Sequence, residues 1–362
     1  MKKIKLDLGK RSYDIIIGKD ALRLLPEYLK RLGIPRDIFV ITNTYIYNRY
    51  GAILKRELGK SFALKFYATI DSEKAKSIAS AVKIIDFLAG YAGQKKIAVC
   101  AFGGGVIGDL AGFIASIYKR GVPLVEIPTT LLAQIDSGIG GKTAIDLSQA
   151  KNLVGTFYQP KAVLCDLNFL LGLDKKQLRS GLAEAVKYAA IRDKGLFEFL
   201  EDNYQAVFSR DISALNHLVY TCANIKAKIV QADEKEEKGI RTILNFGHTI
   251  GHAIEAAGSY TRYGHGEAIA LGMLSAARIS EHLGLLDSQA CQRVSHLLAK
   301  IGLPQEVTGI KESGVLKACK LDKKFSGKRN RFVLLKGIGS SVVYEDVPEG
   351  IIRKSVSELF IN

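Results

Sequence analysis

The sequence predicts an α/β N-terminal domain with a Rossmann-like parallel sheet, followed by a mainly α-helical C-terminal domain. Short strand-like runs alternate with helical ones through the first half, the arrangement of a parallel sheet covered on both faces. Strand signals stop near Asp174 and helical spacing takes over. Glycines directly follow predicted strand ends, where open α/β sheets bind ligands. These observations place a boundary near residue 175, between a domain of residues 1–175 and one of residues 176–362.

In chain order, IKLDLGKRSYDIIIG reads as a hairpin, DIFVIT and ALKFYATI as single strands, and SEKAKSIASAVKIIDFLAGYA as an amphipathic helix. KIAVCAFGGG is a buried strand running into glycines. A helix follows from about Gly108, and PLVEIPTT and KAVLCDL are two further strands. KKQLRSGLAEAVKYAAI, ISALNHLVYTCANIKAKIVQA and GEAIALGMLSAARISEHLGLL have helical spacing, and FVLLKGIGSSVVYEDV resembles a late hairpin.

A chain of 362 residues is too long for one small core and suits two domains. Hydrophobic residues make up 48% and charged ones 24%, an ordinary globular balance. The five cysteines are odd in number, scattered and never arranged as CxxC, so a reducing, cytoplasmic compartment is expected. The N-terminus has an alternating strand-like segment in place of a signal peptide's apolar core, and no apolar run reaches the roughly 18 residues of a membrane helix. The net charge of +16 invites a nucleic-acid reading, but the basic residues are spread along the chain with no basic tail and no basic-aromatic repeat. A small anionic substrate suits that charge better, with neither nucleic acid nor membrane as partner.

Four stretches carry chemistry. AFGGGVIGDLAG joins a predicted strand to a helix, so backbone N–H groups at the helix start suit a pyrophosphate; a tight strand-to-helix turn reads equally well, since GxGxxG is absent. IPTTLLAQIDSGIGGKTAI brings paired threonines, a glycine pair and Lys142 after a strand end. SGLAEAVKYAA sets Glu184 and Lys187 side by side on a helix, either as a surface ion pair or, among small apolar neighbours, as a buried carboxylate that needs a cation. LNFGHTIGHAIEAAGSYTRYGHGE holds three of the six histidines. His248 and His252 are four apart and share a helix face, which suits a metal pair, or else they cap and pack the helix.

The blocks DSEKAK, GGGVIGDLAGF, YKRGV, PTTLLAQIDSGIGGKTAI, KNLVGTFYQPKAV, SGLAEAVKY, LNFGHTIGHAIE, HGEAIALGM and DKK occur in this order. Together they resemble the 3-dehydroquinate synthases, of the sugar phosphate cyclases, over nearly the whole chain. The resemblance implies that Glu184, His248 and His265 bind one divalent metal, zinc or cobalt, and that His252 faces the substrate instead, against the pairing that spacing suggests. It implies NAD contacts at Asp71, Ser72, Glu73, Lys74, Ala75 and Lys76, at Gly105, Val106, Ile107, Gly108 and Asp109, at Thr129, Thr130, Lys142 and Lys151, and at Phe169, Leu170, Leu171 and Gly172. Substrate contacts are implied at Asp136, Lys142, Asn152, Lys187, Lys226, Arg241, Asn245, His252 and Lys323 or Lys324, with Arg120 reaching the partner's site in a homodimer.

The implied reaction converts 3-deoxy-D-arabino-heptulosonate 7-phosphate to 3-dehydroquinate and phosphate, in the shikimate route to aromatic amino acids. It runs by transient oxidation with NAD, phosphate elimination, re-reduction and intramolecular aldol closure. The sequence departs from the family pattern at Ser72, where many relatives have glycine, at Gly172, where many have threonine, and in DEKEEKGIR, one residue longer before Arg241. The rival readings are a metal- and NAD-dependent polyol or alcohol dehydrogenase, another sugar phosphate cyclase, and a basic nucleic-acid-binding protein.

Overall fold

The computed structural model describes residues 1–147, 151–321 and 330–360. The chain forms two compact units: Met1–Leu173 with Leu215–Lys235, and Asp174–Ala214 with Glu236–Asn362.

The first unit is built on a seven-stranded sheet. Its strands are β1 (Lys2–Leu6), β2 (Tyr13–Gly18), β3 (Asp37–Asn43), β4 (Ala63–Thr69), β5 (Ile97–Gly103), β6 (Leu124–Pro128) and, after a separate antiparallel pair β7 (Lys142–Ile145) and β8 (Val154–Phe157), β9 (Ala162–Asp166). The sheet order is β1-β2-β9-β6-β5-β3-β4, parallel throughout except for the β1–β2 hairpin at one edge. Every residue of β5, β6 and β9 is buried, as expected where helices cover both faces of a parallel sheet.

The period of two along each strand divides the core. Ile38 and Val40 of β3, with Ala98, Cys100 and Phe102 of β5, face a cluster that includes Leu25 and Leu29 of α1 (Leu25–Arg31) and Leu54 and Leu58 of α2 (Thr44–Leu58). Phe39, Ile41, Ile97, Val99 and Ala101 face the opposite cluster, with Ile84 and Leu88 of α3 (Ile78–Ala92) and Leu110 and Ile114 of α4 (Gly105–Ile117). Side chains start two of these helices: Asn43 Oδ1 accepts from the Ile46 amide at 2.8 Å, and Ser77 Oγ from that of Ser80 at 3.3 Å. The unit's remaining α-helix before residue 174 is the short α5 (Asn168–Leu171), and a single π-helical turn spans Ala133–Ser137.

The second unit opens with α6 (Lys175–Arg192) and α7 (Lys194–Phe208). Helix α8 (Ile212–Ala232) groups with the first unit from Leu215 onward. The chain then continues through α9 (His248–Ala257), α10 (His265–His282), α11 (Ser288–Ile301) and α12 (Glu312–Leu321), the antiparallel hairpin of β10 (Arg331–Gly337) and β11 (Ser340–Glu345), and α13 (Glu349–Ser357). The sheet, the helical second unit and the late hairpin match the fold class read from the sequence, whereas β7, β8 and the π-helical turn have no counterpart in that reading. Helix α4 also starts at Gly105, three residues before the expected Gly108.

Helices α9 and α10 approach so closely that glycine is required where they meet. Gly247, at φ +77°, turns the chain into α9, and a Cβ there would lie 2.7 Å from the Met273 amide nitrogen. A Cβ on Gly272 would meet the Gly247 carbonyl oxygen and lie 2.7 Å from the Gly251 nitrogen. Backbone occupies both sides, so neither helix yields by a rotamer change. Gly272→Ala is therefore expected to lower stability by about 1–3 kcal/mol, the range for overpacking a filled site. A urea titration should show a lower midpoint with an unchanged slope; an unchanged midpoint contradicts this packing.

Candidate active site

The second unit gathers a buried carboxylate, an ammonium and three imidazoles. Helix α6 starts at an Asp174 cap, with Oδ1 accepting from the Gln177 amide at 2.8 Å. From Gly181 to Ile191 every residue is buried, the mark of a helix surrounded by protein. Glu184 is 0% exposed and Lys187, one turn on, is 1% exposed, and the two are ion-paired. The alternative of a surface pair is thereby excluded. A carboxylate so far from water is tolerable only with cationic or hydrogen-bonding partners around it.

Two imidazoles meet Glu184. His248 stands at the start of α9, where its Nδ1 lies 3.1 Å from the Phe246 carbonyl oxygen. A carbonyl only accepts, so Nδ1 carries the proton of that bond and leaves Nε2, 3.6 Å from Glu184 Oε1, with its lone pair. His265 opens α10, whose first turn rests on α6: a Cβ on Gly266 would meet Ser180 Oγ at 2.9 Å, one turn before Glu184. His265 Nε2 lies 3.2 Å from Glu184 Oε1, and its Nδ1 lies 3.5 Å from Glu255 Oε1.

The ligand atoms of Glu184, His248 and His265 all lie within 4.8 Å of one another. Among the described residues no other group of at least three His, Cys, Asp or Glu side chains meets that geometry. His252 is outside it, although its ring centroid is 5.3 Å from that of His248 and 6.5 Å from that of His265. The grouping of His248 with Glu184 and His265, and not with its helical neighbour His252, arises because His265 and Glu184 arrive from other helices. One carboxylate and two imidazoles, each with its outer nitrogen held by a protein oxygen, fit a divalent metal with a position left for substrate.

The electrostatics point the same way. Burial pushes His248 well below the ordinary imidazole pKa despite the carboxylate of Glu184, which favours the neutral, ligating form. Burial also opposes charge on His265, but Glu184 and Glu255 outweigh it and the pKa is pushed up to about 10. The two carboxylates thus hold a proton on His265, which a bound metal would displace.

The first unit collects the residues expected to hold a dinucleotide. No side chain caps the N-terminus of α4, where Gly105, Val106, Ile107, Gly108 and Asp109 form the opening turn. Cβ atoms on Gly104 and Gly105 would lie 3.1 Å from Thr130 Cγ2 and 2.9 Å from Ser137 Oγ. Among the described residues, the buried hydroxyls of Thr129 and Ser137 have no hydrogen-bond partner. A bare helix start beside such hydroxyls fits a pyrophosphate.

The other expected contacts are distributed through this unit. Asp71 accepts from Asn43 Nδ2 at 2.6 Å, and Ser72 caps the 3₁₀ turn Glu73–Ala75, which includes Lys74. Lys151 lies 3.9 Å from Glu73. Lys76 is buried and pairs with Asp109 and Asn152. Lys142 opens β7 with its side chain exposed. Phe169 and Leu170 are buried and Leu171 is exposed. Gly172, the departure from threonine, faces Arg49 and Tyr50, with the Tyr50 hydroxyl 2.7 Å from where a Cβ would stand.

Among the implied substrate contacts, Asp136 pairs with Lys226, whose Nζ also donates to the Asp136 carbonyl at 2.6 Å. In the second unit Arg241 is buried with Nε 3.3 Å from Glu236 Oε1, and Asn245 closes the 3₁₀ turn Ile240–Asn245. Arg120 is exposed with φ +66°. Lys323 and Lys324 lie outside the described residues.

Sequence reasoning missed three polar groups. Glu255 carries a signal in retrospect, seven residues after His248 and so on the same face of α9. Ser137 and Glu126 give none, because what they meet is distant in sequence. Glu126 is buried on β6, with an oxygen 3.3 Å from where a Cβ on Gly108 would stand. Burial first, and then the charge of Asp109, raise its pKa well above the carboxylate range.

These contacts fall within a recognisable class. The fold is that of the sugar phosphate cyclases: the chain superposes on 2-deoxy-scyllo-inosose synthase complexed with carbaglucose-6-phosphate, NAD+ and Co2+ with TM-score 0.88, at 26% identity over 99% of this chain and 100% of that one. On 2-epi-5-epi-valiolone synthase from Streptomyces hygroscopicus, with NAD+ and Zn2+ bound, the TM-score is 0.87 at 28% identity, covering 98% of each chain. Profiles for the N-terminal and C-terminal parts of 3-dehydroquinate synthase match residues 66–180 and 181–325. The 3-dehydroquinate synthase of Thermoanaerobacter pseudethanolicus is 41% identical over 351 residues, 97% of this chain and 98% of that protein. The chain belongs to the 3-dehydroquinate synthase family.

Two predictions follow from the geometry. Glu184→Gln, which keeps the shape and removes the anionic ligand, should lower metal affinity far more than His252→Ala; atomic absorption after dialysis measures both, and metal loss confined to the His252 variant contradicts the ligand set. For Glu126, a carboxyl whose pKa rises on folding contributes stability at low pH that disappears as pH climbs through its folded value. Glu126→Gln should therefore flatten the fall in melting temperature between acid and neutral pH. A variant less stable at neutral than at acid pH, relative to the parent, would contradict a protonated Glu126.

Proposed function

We propose that this chain converts 3-deoxy-D-arabino-heptulosonate 7-phosphate to 3-dehydroquinate and phosphate, with NAD and one divalent metal, zinc or cobalt, as cofactors. Glu184, His248 and His265, gathered from three helices in a chain of this family, carry the reading. When bound, NAD supplies reversible hydride acceptance and the metal lowers the pKa of a ring hydroxyl.

The protein's own residues supply binding, orientation and charge. NAD would lie against Asp71 to Lys76, the opening turn of α4, Thr129 and Thr130, Lys142, Lys151 and the turn from Phe169 to Gly172. Support comes from the uncapped helix start and the buried hydroxyl of Thr129 beside it. The substrate carries a phosphate and a carboxylate, both matched by cations. Asp136, Lys142, Asn152, Lys187, Lys226, Arg241, Asn245 and His252 would bind it, with Lys226 paired to Asp136. The Lys187 ammonium is held by Glu184 away from water, where its field on a departing phosphate is stronger than at a surface. Lys323 or Lys324 completes the set, together with Arg120 of the partner subunit in a homodimer.

No helix among the described residues is long and apolar enough to cross a membrane. All five cysteines are free and buried, which supports a cytoplasmic setting.

The deciding experiment is phosphate release from 3-deoxy-D-arabino-heptulosonate 7-phosphate by the purified protein. Release is expected to require both NAD and zinc or cobalt, to stop on chelation, and to leave no accumulated NADH. Release from a different sugar phosphate alone would make the chain another cyclase, and NADH accumulating with a polyol would make it a dehydrogenase.

A further inference from the structure

Building on the metal site proposed above, we infer that Glu255 is a positioning residue for that site: it holds His265 by Nδ1, so that Nε2 stays turned toward Glu184. Glu255 is not a member of the ligand group, and its carboxylate meets the far side of the His265 ring.

Glu255 follows His248 by seven residues and His252 by three on α9, so one face of that helix carries all three side chains. It is 8% exposed, and Oε1 lies 3.5 Å from His265 Nδ1. A buried carboxylate beside an imidazole N–H fixes which ring nitrogen is protonated and which way the ring faces. His248 is restrained in the same sense by the Phe246 carbonyl at 3.1 Å. Both ligand rings thus present Nε2 to Glu184 Oε1, at 3.6 Å for His248 and 3.2 Å for His265. The two restraints differ in charge. A neutral carbonyl orients His248, whereas an anionic carboxylate orients His265 and also makes it a stronger donor to a metal.

The His265 restraint is needed because of where that residue stands. It is the first residue of α10, and its side chain is 36% exposed against 12% for His248. Packing therefore limits its ring less, and a hydrogen-bonded carboxylate compensates. Gly251 reinforces the geometry: a Cβ there would lie 3.0 Å from the Ala268 carbonyl oxygen, so α9 runs close against the first turn of α10 and brings Glu255 within reach of His265.

The test compares Glu255→Gln and Glu255→Ala with the parent and with Glu184→Gln, using Zn2+ in competition with a chromophoric chelator and the visible absorption of the Co2+ form. Glu255→Ala should weaken zinc binding about 10–100-fold and shift the cobalt bands. Glu255→Gln should lose less, because its amide oxygen still accepts the Nδ1 proton but carries no charge, and it serves as the variant to read if the alanine form does not fold. Unchanged zinc affinity and cobalt spectrum in both variants, with only the melting temperature of the metal-stripped protein lowered, would make Glu255 a structural residue and overturn the inference. A loss equal to that of Glu184→Gln would make it a ligand and overturn it equally. Failure of the parent to bind either ion would instead overturn the metal site itself, and is read before any variant.

Discussion

The second unit is arranged around one constraint, the burial of the Glu184 carboxylate. An anion removed from water has to be compensated locally, and here the compensation comes from Lys187 on its own helix and from two imidazoles on others. That demand explains the glycines around it. Gly266 lets α10 settle on α6 beside Ser180, and Gly247 and Gly272 let α9 and α10 approach at backbone distance, so that three helix segments deliver side chains to one point. A carboxylate that also meets two imidazole Nε2 atoms has the donor set of a metal site as well as an ion pair with Lys187.

The first unit answers a different demand. Strand β5 of its parallel sheet ends in a glycine-rich turn, and the opening turn of α4 lies bare next to buried hydroxyls of Thr129 and Ser137. Anionic ligands suit such places because free N–H groups at a helix start and unpaired hydroxyls can both donate to them. The Lys76 link to Asp109 and Asn152, and the Lys226 link to Asp136, hold side chains in place by mutual charge.

The sequence reveals most where the signal is local. The opening hairpin and the parallel strands follow from alternation, and α6, α8 and α10 from helical spacing, whereas α3 begins at Ile78 and not at Ser72, and α2 and α7 have no counterpart in that reading. Spacing fails at the metal cluster. His248 and His252 share a face of α9, yet the group that meets ligand geometry takes His265 from α10 and Glu184 from α6, a proximity no window of sequence contains. Only the family resemblance anticipated it. Glu126 and Ser137 escaped for the same reason, since each acquires its meaning from a residue on another element, whereas the helical spacing of Glu255 from His248 was there to be read. The turn Ala133–Ser137 and strand β7 lie within a glycine-rich motif whose chemistry is legible but whose backbone path is not.

The most direct test of this account is anomalous diffraction at the zinc edge from crystals of the zinc-loaded protein. The account predicts one anomalous peak bound by Glu184, His248 and His265, with Glu255 contacting His265 from behind and His252 not bonded to the ion. A peak bridging His248 and His252, or one away from Glu184, would contradict it.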